Sequence, residues 1–152
     1  MSSFSGEYDC KVDAKGRMVF PSKFKAKLPD ASGKEIILFR GFEKCIDIYT
    51  TTEFKKFSSI VKGLDPFNPE HRKFQRNFLR RVTEVELDGT GRILFPKSFL
   101  EYAQIEKDVV ALGMMNKIEL WAKEVYENDT DFIEDSSEFS LMAQKILSDT
   151  NE

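Results

Sequence analysis

The chain has 152 residues, enough for one compact domain with a sizeable core, and 41% of them are hydrophobic. No run approaches the roughly 18 apolar residues that a membrane helix needs. The start of the chain lacks the basic and apolar regions of a signal peptide, so we expect a cytoplasmic protein without a membrane partner. The net charge of −3 is uneven, because residues 123–152 carry nine acidic residues and two Lys, which leaves +4 on residues 1–122. A basic body favours a polyanionic partner.

Residues that could carry catalysis or bind a metal are scattered. Cys10 and Cys45 are isolated and His71 is the only histidine, so the clustered spacing of a zinc site is missing. The sequence offers neither a nucleophile with an adjacent base nor a phosphate-binding loop, and the Gly-x-Gly at Gly89 and Gly91 is too short for a dinucleotide site. We therefore expect no enzymatic activity, no cofactor and no small-molecule substrate.

A segment of twelve residues occurs twice, at residues 13–24 and 88–99, with a constant offset of 75. Self-similarity at a fixed spacing indicates a duplicated structural unit. Six of the twelve positions are identical: Asp13/Asp88, Gly16/Gly91, Arg17/Arg92, Phe20/Phe95, Pro21/Pro96 and Phe24/Phe99.

The predicted elements follow one order in both units. In the first unit, apolar alternation over residues 7–12 and an apolar run at residues 18–20 predict two strands, joined by a tight loop that Gly16 closes. Pro21 presets the first turn of a helix over residues 22–28, with Phe24 and Leu28 facing inward. Residues 36–39 and 46–49 indicate a further hairpin. The second unit repeats this order, with strands at residues 83–87, 93–95, 109–112 and 118–121 and a helix after Pro96.

Two segments lie outside the repeats. Helical spacing over residues 51–81, interrupted near residues 63–69, predicts a helical hairpin. For the basic residues of its second arm, a solvated face is favoured over an interface or a phosphate contact. From Glu127 onward the chain is acidic with scattered apolar residues. The segment is a weakly amphipathic tail, and we expect its last residues to be a partly disordered, solubilising end, with a helix that docks on a neighbouring subunit as the alternative.

Each repeat places an arginine, Arg17 or Arg92, at the tip of a loop. An Arg can direct two hydrogen bonds to guanine or to a phosphate, whereas a Lys such as Lys15 supplies a point charge. Alternatively, each Arg pairs with the Asp four residues earlier, Asp13 or Asp88, and only fixes the turn. Loop geometry does not separate these interpretations, and a catalytic pair of the two Asp residues is weaker still, because each is explained by its own turn.

Charge separates the two loops. Residues 11–27 hold six Lys or Arg and one Asp, which favours DNA contact by the first loop. The second loop has Thr90 where the first has Lys15, and Glu84 and Glu86 lie upstream. We therefore expect the second loop to bind more weakly or to serve packing.

These features resemble the MraZ family of bacterial transcriptional regulators. The resemblance covers nearly the whole chain and rests on the repeated Asp-x-x-Gly-Arg-x-x-x-Pro motif, the Gly6-Glu7-Tyr8 lead-in, the Asn-Lys-Ile-Glu-Leu-Trp stretch at residues 116–121 and the helical insert. It implies an α+β, mainly β and barrel-like fold, with two interlocked AbrB-like swapped-hairpin repeats and an inserted helical hairpin. The implied boundaries are residues 7–54 for the first repeat, 55–82 for the helical linker, 83–126 for the second repeat and 127–152 for the acidic tail.

The resemblance also implies a function. Members assemble into rings and bind repeated boxes of double-stranded DNA upstream of the division and cell wall operon, usually as repressors, which implies a location at the nucleoid. The alternative is an AbrB-like antitoxin or protein-interaction scaffold, because such hairpins also occur in antitoxins. The candidate DNA-binding residues are Lys11, Asp13, Lys15, Arg17, Lys23, Asp88 and Arg92.

Overall fold

The computed structural model describes residues 3–29, 35–129 and 131–150, without the side chain of Thr150. Its strands are β1 (Glu7–Lys11), β2 (Arg17–Val19), β3 (Glu35–Arg40), β4 (Ile46–Thr50), β5 (Val82–Glu86), β6 (Arg92–Leu94), β7 (Asp108–Gly113) and β8 (Ile118–Ala122). Its helices are α1 (Ser22–Lys25), α2 (Thr51–Lys62), α3 (Pro69–Leu79), α4 (Lys97–Tyr102), α5 (Lys123–Asn128) and α6 (Ser136–Thr150). Within these ranges no helix combines the length and the apolar character that crossing a bilayer requires.

Strand order shows that the two repeats are interlocked. Six strands form one antiparallel sheet in the order β1-β7-β8-β4-β3-β5, and β2 pairs with β6 in a separate ribbon. Strand β1 of the first repeat pairs with β7 of the second, while β5 of the second repeat pairs with β3 of the first. Exchanging the repeats leaves this order unchanged, which places a pseudo-twofold axis between β4 and β8. The predicted α+β class and the interlocked repeats are confirmed.

The main core lies between the sheet and the ribbon. Met18 of β2 and Ile93 of β6 face each other across the ribbon, and both are buried against sheet residues such as Leu38. The ring of Phe24 meets the ring of Tyr8 edge to face, with centroids 4.9 Å apart. Apolar burial on the inner side therefore holds a ribbon that two strands alone could not stabilise.

The predicted helical hairpin covers the opposite face of β3 and β4. Phe39 and Tyr49 point to this side because side chains alternate along a strand, and they pack against Phe57 of α2. Helix α2 starts where the Thr50 hydroxyl accepts a hydrogen bond from the Glu53 amide at 3.2 Å. The hairpin is confirmed, and residues 63–68 separate its arms.

Two predictions need correction. Helix α1 ends at Lys25 and not at Leu28, because the chain continues in tighter turns, in which Lys27 donates its amide to the Phe24 carbonyl and Leu28 donates to the Lys25 carbonyl. The inward Phe24 and Leu28 are buried as predicted. The expectation of a disordered end is wrong for residues 136–150, which form α6. The Asp135 carboxylate accepts hydrogen bonds from two amides of the first turn of α6, which is typical of an N-cap.

The central pair of strands buries an ionic cluster that the sequence analysis missed. Asp47 and Glu119 are register partners on β4 and β8, with 1% and 6% of their surface exposed. Lys117 Nζ lies 3.2 Å from Asp47 Oδ2 and 3.3 Å from Glu119 Oε2. Burial raises the pKa of Asp47 to about 6, while the Lys117 ammonium acts in the opposite direction. Lys117 thus keeps two facing carboxylates compatible with a closed sheet.

Replacing Lys117 with Met tests this cluster. At pH 7 the two carboxylates would be buried without a counter-charge, and we expect the free energy of unfolding to fall by about 3–5 kcal/mol. An unpaired buried carboxyl has a raised pKa, so the folded variant takes up a proton at pH 5 and the loss should be smaller there than at pH 7. Urea unfolding at both pH values measures the difference.

Lys123→Met is the matched control. Its ammonium lies 3.9 Å from Asp9 in an exposed pair, so we expect a change of no more than about 0.5 kcal/mol. Equal losses for the two variants would contradict the assignment of Lys117 as the counter-charge of the cluster.

Candidate nucleic-acid interface

The outer face of the ribbon brings the two repeat arginines together. Arg17 and Arg92 lie on the side opposite the buried core, with side chains 30% and 32% exposed. They are diagonal neighbours across the two strands, a relation that typically separates Cα atoms by about 7–8 Å. Val19 and Leu94 complete the face and are 63% and 58% exposed. The register pairs are Arg17 with Leu94, Met18 with Ile93 and Val19 with Arg92.

The first loop is organised by one carboxylate. Asp13 Oδ1 accepts hydrogen bonds from the backbone amides of Lys15 and Arg17, both at 2.9 Å. Asp13 Oδ2 accepts a bond from Arg17 Nε at 3.0 Å. Gly16 closes the loop with φ +83° and donates its amide to the Asp13 carbonyl. The carboxylate therefore fixes both the turn and the direction of the arginine.

The second loop repeats this geometry. Asp88 Oδ1 accepts bonds from the backbone amides of Thr90 and Arg92 at 2.9 Å, and Asp88 Oδ2 accepts a bond from Arg92 Nε at 2.9 Å. The Thr90 hydroxyl adds a bond of 2.8 Å to the same carboxylate. Gly91 closes the loop with φ +78°. The difference between the loops is chemical, because Thr90 turns back to Asp88 while Lys15 remains a surface cation.

The two loops are joined by reciprocal backbone bonds. Phe20 donates its amide to the Gly91 carbonyl at 3.0 Å, and Phe95 donates to the Gly16 carbonyl at 2.9 Å. The chain that leaves β2 therefore lies beside Gly91 of the second loop, and the chain that leaves β6 lies beside Gly16 of the first loop. This exchange holds the two arginines at a fixed separation.

The salt bridge leaves each arginine able to bind a ligand. An arginine has five N–H donors, and Asp13 or Asp88 takes only the one on Nε. Among the described residues, no acceptor lies within hydrogen-bond distance of the terminal nitrogens of Arg17 or Arg92. The interpretation of a salt bridge that fixes the turn is therefore correct for both loops, and it does not exclude DNA contact.

Ionisation of the two aspartates is secured by the loops themselves. The backbone amide of Arg17 is the main cause that lowers the pKa of Asp13, and the amide of Arg92 does the same for Asp88. Both carboxylates are therefore charged at neutral pH, and each is bonded within its own loop. Neither has the raised pKa of a general acid.

Lys11 and Lys23 lie beside the ribbon. They line a groove of about 650 Å³ that also includes Tyr8, Val19 and Phe20. Lys11 ends β1, just before the first loop, and Lys23 is in the single turn of α1, which follows β2. The equivalent positions of the second repeat are Glu86 and Ser98, so neither is a lysine there. At these two positions the second repeat therefore keeps the lower positive charge seen in the sequence.

A possible metal set near the β4–β8 pair consists of Glu43, Cys45 and Glu119. Burial raises the pKa of the Cys45 thiol far above its usual range, so the thiolate that would bind a metal is disfavoured. Glu119 is already engaged by Lys117 and by Trp121 Nε1, which donates to it at 3.0 Å. Glu119 is therefore a member of the ion-pair cluster with Lys117 and Asp47.

The loop glycines provide a test of the geometry. Gly16→Ala and Gly91→Ala place a side chain in the left-handed region, and we expect each to lower the free energy of unfolding by about 1–2 kcal/mol. Gly89 in the second loop is the matched control, because a Cβ there would have no neighbour within 4 Å. Gly89→Ala should change the same quantity by no more than about 0.5 kcal/mol. Chemical denaturation measures all three, and equal effects would contradict the strained-turn assignment.

Comparison with known proteins identifies the family of this chain. Residues 3–77 and 78–146 each match the family described as MraZ protein, antitoxin-like. A protein of Cytophaga hutchinsonii named transcriptional regulator MraZ is 52% identical over 150 residues, covering 99% of this chain and 98% of the relative. Proteins of the same name from Thermoanaerobacter sp. strain X514 and Thermoanaerobacter pseudethanolicus are each 39% identical over 129 residues, covering 83% of this chain and 87% of each relative. The chain therefore belongs to the MraZ family.

Proposed function

We propose that this protein is a transcriptional regulator that binds double-stranded DNA through the outer face of its β2–β6 ribbon. The observation that carries the proposal is the pair of half-exposed arginines, Arg17 and Arg92, fixed on one face by Asp13 and Asp88. The names of the relatives support regulation of transcription. Such a protein has no need of a catalytic centre.

The chemistry of the face suits the major groove. A two-stranded ribbon can enter this groove, where an arginine can form two hydrogen bonds with guanine. Val19 and Leu94 lie beside the arginines and are exposed, and apolar side chains of this kind can contact the methyl group of thymine. Lys15 is in the first loop, and Lys11 and Lys23 line the groove beside β2. All three suit phosphates, which set the position of the protein on DNA and not the sequence that it reads.

We also propose that several copies act together. A ring-shaped oligomer would present several ribbons to repeated DNA boxes, so that weak contacts add through multivalency. By family resemblance the target is the promoter of the division and cell wall operon, the effect is repression, and the protein is located at the nucleoid. Affinity should fall steeply with salt, because each neutralised phosphate releases counterions.

An antitoxin or interaction scaffold is the second candidate function. Such a protein needs a C-terminal segment that binds its partner, and the exposed apolar residues on α6 favour this reading. A second protein that co-purifies in stoichiometric amount, with no promoter binding by the isolated chain, would support it over the DNA-binding proposal.

Arginine substitutions test the DNA-binding proposal. Arg17→Ala and Arg92→Ala should each weaken binding to the region upstream of the protein's own gene by about 1–3 kcal/mol, with less discrimination against a scrambled duplex. Lys55→Ala is the control, because Lys55 is an exposed cation on α2, on the opposite side of the sheet. Fluorescence anisotropy measures binding, and circular dichroism checks the fold. Wild-type affinity in both arginine variants would refute the assignment.

A further inference from the structure

The interlocked fold places a lysine of the first repeat beside the second loop. If Gly91 carried a Cβ atom, Lys25 Nζ would lie 3.1 Å from it. The equivalent point of the first loop is Gly16, whose Cβ would lie 3.7 Å from Leu100 Cδ1. Lys25 and Leu100 are counterparts at the constant offset of 75 residues. At this equivalent position, the second loop therefore has a cation as its neighbour and the first loop has an apolar side chain.

Chain connectivity explains this exchange. Phe20 donates its amide to the Gly91 carbonyl, and the chain continues through Pro21 into α1, which ends at Lys25. Lys25 is therefore held near the second loop although it belongs to the first repeat. In the same way, Leu100 of α4 is held near the first loop.

The charges at the tips of the two loops become equal when this position is included. The first loop has Lys15 and Arg17 from its own repeat, with Leu100 as its neighbour. The second loop has Thr90 and Arg92, with Lys25 as its neighbour. Lys25 is exposed and forms no ion pair with a carboxylate of the described residues. Its charge is therefore available to a ligand.

We propose that Lys25 provides the phosphate contact of the second loop, in place of the lysine that this loop lacks. The inference rests on the proposed DNA binding and extends it, because it makes both loops competent for contact. A lysine is suited to a phosphate as a point charge on a flexible stem. Local sequence predicts a weaker second loop, whereas with Lys25 the tips of the two loops carry equal positive charge.

The test compares Lys25→Ala, Lys25→Ala combined with Thr90→Lys, and the control Lys62→Ala, in which an exposed lysine of α2 is removed. Thr90→Lys fits the loop, because Lys15 occupies the same position of the first loop with the same backbone bonds. Lys25→Ala should weaken DNA binding by about threefold to tenfold and lower the salt slope by about one. The double variant should regain affinity and slope.

Two outcomes would overturn the inference. Lys25→Ala could behave like Lys62→Ala, or it could weaken binding without rescue by Thr90→Lys, which would place the action of Lys25 elsewhere. In either case, DNA binding by Arg17→Ala still tests the ribbon. If this variant loses DNA binding, the proposed function stands and only the role of Lys25 is refuted. If all variants bind DNA as the wild type does, the proposed function and the role of Lys25 are both refuted.

A separate observation concerns the C-terminal helix. Helix α6 exposes apolar side chains, and Phe139, Met142 and Ile146 follow the i, i+3, i+7 spacing of one helical face. They are 62%, 44% and 52% exposed. A row of this kind in a soluble chain indicates a surface that packs against a partner.

An apolar groove of matching character lies beside the helical hairpin. Phe42 and Phe74 border it, 69% and 49% exposed, and the buried rings of Phe39 and Phe78 form its floor. Its volume of about 180 Å³ suits one large side chain. The adjoining segment, residues 69–81, has five basic residues and one Glu, whereas the segment that leads to and includes α6, residues 123–152, has nine acidic residues and two Lys. The groove and the α6 segment are therefore complementary, because both have exposed apolar side chains and the segments around them carry opposite charge.

We propose that α6 of one copy docks in this groove of a second copy. The inference names an interface for the self-association proposed above and rests on it. Because each copy offers a helix to one neighbour and a groove to another, the contact is heterologous, and repetition of such a contact closes a ring when the rotation allows. Acidic residues before α6 would meet the basic face of α3.

The experiment uses two complementary variants. Combined Phe139→Ser, Met142→Ser and Ile146→Ser disables the helix, and Phe74→Ser disables the groove. Leu141→Ser is the control, because Leu141 is 67% exposed but lies off the row. Light scattering after size-exclusion chromatography should give oligomers for the wild type and the control, and monomers for each disabled variant.

Mixing the two disabled variants distinguishes docking between copies from docking within one chain. Copies with an intact groove and copies with an intact helix should form a one-to-one dimer. The inference would be overturned if the two variants formed no complex on mixing. It would also be overturned if the variant with the disabled helix still formed oligomers, or if a foreign protein bound α6 in stoichiometric amount. DNA binding by the full-length Arg17→Ala and Arg92→Ala variants is measured separately by anisotropy, so loss of the DNA contact would not be confused with loss of this interface.

Discussion

The reciprocal bonds between Phe20 and Gly91 and between Phe95 and Gly16 are the constraint on which the rest of the structure depends. Each bond needs a loop glycine with positive φ whose carbonyl faces the other repeat. Because the bonds are mutual, neither ribbon strand can be placed without the loop of the other repeat. The two units therefore form one interlocked body, and the pairing of β1 with β7 and of β5 with β3 follows from the same exchange.

The interlocked ribbon explains how an arginine can be both structural and free to bind. Burial of Met18 and Ile93 anchors the inner side, so the outer side is a rigid platform. Asp13 holds Arg17 through Nε and does not use the donors on its terminal nitrogens. Ordering a side chain before binding reduces the entropy that binding must overcome. The salt bridge and the ligand contact are thus two consequences of one geometry.

Duplication also creates a problem at the pseudo-twofold axis, and one residue resolves it. Asp47 and Glu119 occupy equivalent positions on β4 and β8 and face each other in the closed sheet. The residues that precede these strands are Cys45 and Lys117. At an axis a single cation reaches both acids, so Lys117 suffices and its counterpart can be the neutral, buried Cys45. The pair shows how repeats can diverge while their fold stays symmetric.

The sequence by itself determined the duplication, the strand positions, the helical hairpin and the two loops with their Asp and Arg. These follow from local rules, namely periodicity, glycine at positive φ and an Asp that binds amides a few residues ahead. Only the tertiary structure decided which repeat each element serves, because the exchange depends on contacts between residues that are far apart in the sequence, such as Glu7 with Leu112 and Phe20 with Gly91. Local charge assigned Lys25 to the first loop, whereas the fold carries it to the second. The partnership of Asp47, Glu119 and Lys117 was hidden for the same reason, since strand pairing across the axis leaves no local signal.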